Sequence, residues 1–128
     1  MRRRVDRGIA GLTLWAWMGA ALAQVPAPFV GTWNVSWQGK SNALSAKMVL
    51  TESGGRWQTF NVTSKADFCY GREVVAAVDS ASEDAVTLKL KFSEALTGCN
   101  DVTVKLKRGE DGAISGTRSG APLTMVKQ

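Results

Sequence analysis

The sequence predicts an all-β fold, an eight-stranded antiparallel up-and-down barrel, and three observations carry that reading. From Phe29 onward, apolar residues recur at every second position in a series of short segments, which is the period of a strand with one buried face. Turn residues separate these segments by spans too short to hold the crossover helix that a parallel pair needs. After the N-terminal stretch no segment keeps a helical period. Eight strands with one apolar face can close on themselves and remove the exposed edges of an open sheet. A two-sheet sandwich is the alternative arrangement.

The chain opens with Arg2, Arg3, Arg4 and Arg7, continues with a mostly apolar run from Gly8 to Leu22, and reaches Ala21-Leu22-Ala23 before Gln24. A basic start, an apolar middle and a small-x-small end are the parts of a secretory signal, and the run is short for a bilayer span of roughly 20 apolar residues. Residues 1–23 are therefore expected to be a signal peptide cut before Gln24, with no stable membrane insertion after its removal. The residue directly after the cut is Gln24 and not a cysteine that could carry a lipid. Residues 24–128 are expected to form one small domain, periplasmic or secreted.

The strands follow in order. Phe29, Gly31, Trp33, Val35 and Trp37 share one face, with Thr32, Asn34 and Ser36 on the other. Leu44, Ala46, Met48 and Leu50 form the second strand, Phe60 and Val62 mark a weaker third, and Val74, Ala76 and Val78 the fourth. Val86, Leu88, Leu90 and Phe92 alternate with Thr87, Lys89 and Lys91, and Val102, Val104 and Leu106 alternate with Thr103, Lys105 and Lys107. Ile114 and the pair Leu123 and Met125 complete the eight. Turn signals at Gln38 to Asn42, Ser53-Gly54-Gly55, Asp79 to Asp84, Gly109 to Gly112 and Ser119-Gly120 suit hairpins.

Charge and cysteine usage limit the function classes. The whole chain carries 16 Lys and Arg against 11 Asp and Glu, but four arginines and one aspartate lie before Gln24, so the exported part is close to neutral. Lys105, Lys107 and Arg108 form the densest basic cluster left, and their strand spacing fits a solvated face; no nucleic-acid partner is expected. Cys69 and Cys99 are the only cysteines, which in an exported chain points to one disulfide. Closing that loop of about 31 residues restricts the unfolded chain by roughly 3.5 kcal/mol.

The segment Phe29-Val30-Gly31-Thr32-Trp33 resembles the G-x-W that opens the first strand of calycin-type barrels, the group of lipocalins, fatty-acid-binding proteins and avidins. In that group the tryptophan packs across the closed end, often against an arginine near the last strands, and the resemblance assigns those parts to Trp33 and Arg118. It covers only about five residues. The helical lid of fatty-acid-binding proteins has no counterpart between Trp37 and Ala43, and their arginine and tyrosine pair near the C-terminus is missing, since Tyr70 is the only tyrosine. The loop motifs around the avidin tryptophans are not matched either, although Trp33, Trp37 and Trp57 are present.

Catalysis needs groups that move protons or attack carbon, placed together. The chain has no histidine, which excludes triads that use one and, with only two cysteines, weakens a metal-site reading. Its acids from Asp67 to Asp111 fall mostly in predicted turns, where turn chemistry accounts for them. No enzyme activity, metal or cofactor is expected. Asn34-Val35-Ser36 and Asn61-Val62-Thr63 fit the glycosylation pattern, but in a chain with a bacterial-type signal neither is expected to be modified.

Two binding locations remain. The interior of an eight-stranded barrel is either just filled or holds one small ligand: Ala46, Ala76 and Gly116 argue for space, while Trp33, Trp37, Met48, Phe60 and Phe92 argue that it is filled. These five bulky residues would line an interior site. The second location is the end near the disulfide, where Phe68, Tyr70 and Arg72 are residue types that anchor protein interfaces. The leading expectation is an exported non-enzymatic protein holding a small apolar or amphipathic ligand. The alternative is a protein-binding inhibitor of the protease or lysozyme inhibitor type, since some such barrels also open with G-x-W.

Overall fold

The computed structural model describes residues 24–40, 42–60, 69 and 71–128; the expected signal peptide and Phe68, Tyr70 and Val62 lie outside them. A 3-10 turn at Ala27–Phe29 precedes eight strands: β1 Gly31–Gln38, β2 Ala43–Thr51, β3 Gly54–Phe60, β4 Glu73–Ser82, β5 Ala85–Leu90, β6 Val102–Arg108, β7 Ile114–Arg118 and β8 Ala121–Lys127. Each strand pairs antiparallel with its sequence neighbours and β1 also pairs with β8, so the order is up-and-down and the barrel is closed. A short helix, α1 at Phe92–Ala95, interrupts the connection between β5 and β6.

The alternation of the sequence becomes the two faces of the wall. Trp33, Val35 and Trp37 point inward opposite Met48, Ala46 and Leu44, while Asn34 and Ser36 face out. Val86, Leu88 and Leu90 of β5 meet Leu106, Val104 and Val102 of β6 in the same way.

Three expectations are corrected. Phe60 is on the outside, 44% exposed, and the inward residues of β3 are Trp57 and Thr59. The register explains this: Met48 lies opposite Trp57 and Ala46 opposite Thr59, so Phe60, opposite Ser45, must take the other face. Burying the larger indole decides the phase. Phe92 is buried, but it begins α1 and is not the last residue of β5. Phe29 is likewise buried from the 3-10 turn, two residues before β1 starts.

The interior is filled. Met48, Trp57, Ala76, Leu88, Leu90, Phe92 and Val104 each have 0% exposure, so no space large enough for water touches them. The small residues are not gaps: a Cβ added at Gly116 would come within 2.9 Å of a Leu106 methyl, so the large neighbour uses that volume. This is the close packing expected of a protein core.

Candidate functional site

The two ends of the barrel are built differently. At one end the N-terminal lead crosses the opening: Val25 donates its N–H to the Glu52 carbonyl at 2.8 Å, and Phe29 sits beneath Trp33, whose indole N–H donates to the Phe29 carbonyl at 2.9 Å. Lys127 reaches over the same indole, its ammonium 5.5 Å from the ring centre. Its side chain passes where Gly31 has none, since a Cβ there would lie 2.7 Å from Lys127 Cε. Gly31 therefore makes room for a side chain. Lys127 is thus a cation over Trp33, and the guanidinium of Arg118 stacks 5.0 Å over Trp37.

The opposite end carries the β1–β2, β3–β4, β5–β6 and β7–β8 connections and the disulfide. Cys69 and Cys99 are bonded, with their Cα atoms 5.7 Å apart, and this ties the β3–β4 and β5–β6 connections together. Gln58 adds a second tether, donating from its side chain to the Gly71 carbonyl at 3.0 Å. Arg72 follows, exposed, and Glu73 is held by Arg56 in an ion pair at 2.9 Å.

The β5–β6 connection is fixed by Asp101. One of its carboxylate oxygens accepts from the Ser93 hydroxyl at 2.7 Å and from the Ser93 N–H at 3.0 Å, so a side chain from outside α1 satisfies an N–H of its first turn. Lys91 approaches the other oxygen at 3.5 Å. The Ser93 hydroxyl, its backbone N–H and the charge of Lys91 hold the Asp101 carboxyl below its ordinary value.

Beneath these loops the mouth is closed by aromatic stacking. Trp37 and Trp57 lie 5.7 Å apart at a 37° tilt, and Arg118 covers Trp37. Trp57 donates to the Thr59 hydroxyl at 2.8 Å, which meets the requirement of a buried indole for an acceptor. Sequence reasoning missed Trp57 and Thr59. Their signal was present in the two-residue spacing, which puts a tryptophan and a hydroxyl on one face.

Of the residues expected at sites, the structure thus brings Trp37 together with Trp57 and Arg118 at the mouth and buries Trp33, Met48 and Phe92 in the core, while Phe60 belongs to neither. Among the described residues no three His, Cys, Asp or Glu side chains are grouped to hold a metal, and no helix is long and apolar enough to cross a membrane. No family model, curated protein or solved structure matches the chain.

Proposed function

We propose that the protein is an exported, non-enzymatic binding barrel that recognises a protein partner with the surface around its disulfide. The observation that carries this reading is the complete burial of Met48, Trp57, Ala76 and Phe92. A ligand inside the barrel would need space beside those side chains, so the filled core favours recognition from outside. The disulfide supports the same end, because it fixes Cys69 against Cys99 before any partner arrives, and groups already held in place lose less entropy on binding. The bridge also suits an oxidising periplasmic or extracellular setting.

Tyr70 and Arg72 are assigned as the anchors, being of the residue types that dominate interface energetics. The test is site-specific photocrosslinking in the native host, with the crosslinker at Arg72 or, as control, at Lys105. A discrete protein adduct from position 72, weakened by about 1 to 2 kcal/mol in affinity on Tyr70→Ala, supports the reading. An adduct from Lys105 that Tyr70→Ala leaves unchanged contradicts it.

A further inference from the structure

The wall of the barrel is uneven between β3 and β4. Their ladder has only four pairs, ending where Gly55 faces Ala76, whereas β4 continues to Ser82 and stays paired with β5 along its other edge. Residues 77–82 therefore present a main-chain edge that no described strand covers, about 20 Å long at strand rise. A groove of about 1080 Å³ opens beside it, lined by Val49, Val75, Ala76, Ala77 and Val78 and by Gly54 and Gly55, which place no side chains in it. Val75 is 41% exposed there.

The charges on this edge and at its tip are acidic, while Lys89 of β5, opposite Ala77, donates away from it to the Thr103 hydroxyl on β6 at 3.3 Å. Glu52 lies at the groove, Asp79 sits at the bulge between Val78 and Ser80, and Glu83 and Asp84 form the turn at the tip. All four are exposed, and none belongs to an ion pair among the described residues, whereas the one base lining the groove, Arg56, is engaged by Glu73. A second copy of the chain is a poor occupant, because it would bring a second edge with the same acidic surroundings, Glu52, Asp79, Glu83 and Asp84, against this one. What fits is a strand of opposite charge.

We propose that the free edge of β4 is a docking site for an extended basic peptide, added as a further strand with its apolar side chains in the groove and a lysine or arginine beside Asp79. The site lies outside the disulfide end and does not depend on the function proposed for it.

The test titrates the exported protein with three peptides: one alternating lysine and valine, its glutamate counterpart, and the lysine peptide methylated at alternate backbone nitrogens. Amide exchange is followed residue by residue. The lysine peptide is expected to slow exchange in residues 77–82, and the other two are not. Asp79→Asn is expected to weaken binding about two- to fivefold, the weight of one exposed ion pair. Equal binding of the methylated peptide would overturn the strand-addition geometry. Protection confined to residues 69–72 and 96–100, or none at residues 77–82 with millimolar peptide, would overturn the site itself.

Discussion

Lys127 lies over Trp33, its ammonium 5.5 Å from the ring centre, and so the last strand locks the residue that closes the barrel at its N-terminal end. The same indole is held from below by the Phe29 carbonyl. Two elements far apart in sequence thereby fix one side chain, and the closure of β1 against β8 is what brings them together.

Trp33→Phe keeps most of the apolar volume but leaves the Phe29 carbonyl without its donor, and is expected to cost about 1 to 3 kcal/mol. Lys127→Met keeps the stem over the ring and removes only the charge, for about 0.5 to 1 kcal/mol. Urea unfolding of both variants measures the difference.

Ala76→Leu tests whether the core is full. Ala76 has 0% exposure, so added methyl groups must displace neighbours, and a loss of about 1 to 3 kcal/mol is expected. Thermal unfolding showing no loss would mean that the interior has room.

Replacing Cys69 and Cys99 together with serine removes the bridge and is expected to lower stability by about 2 to 5 kcal/mol. Thiol titration of the native protein should detect no free group.

The strand pattern was legible because a period of two is a property of neighbouring residues, and the hairpin turns and the cysteine pair were legible for the same local reason. The phase of β3 was not. Phe60 and Trp57 both invite burial, they lie three positions apart on opposite faces, and only pairing with Met48 and Ala46 decides between them. The place of Lys127 over Trp33 was hidden more deeply, since it depends on the register at which β8 meets β1. At the candidate site the disulfide was readable, whereas the Arg118, Trp37 and Trp57 stack depends on three strands brought together only by closure.

Acidification should release the β5–β6 connection. Asp101 is held below its ordinary value by Ser93 first and Lys91 second; a carboxyl with a lowered folded value contributes stability above its unfolded value of about 4 and loses it as pH falls through the folded value. The stability difference between the wild type and Asp101→Asn is therefore expected to be full at neutral pH and to shrink below about pH 4. Chemical unfolding at a series of pH values measures it, and a difference that grows on acidification would contradict the assignment.

Native mass spectrometry of the protein purified from its own host tests the central claim, that recognition occurs outside a filled barrel, most directly. The account predicts the mass of the disulfide-bonded chain, alone or with a protein partner, and no retained small molecule. A stoichiometric small molecule that survives desalting and is lost in a folded Ala76→Leu variant would contradict it.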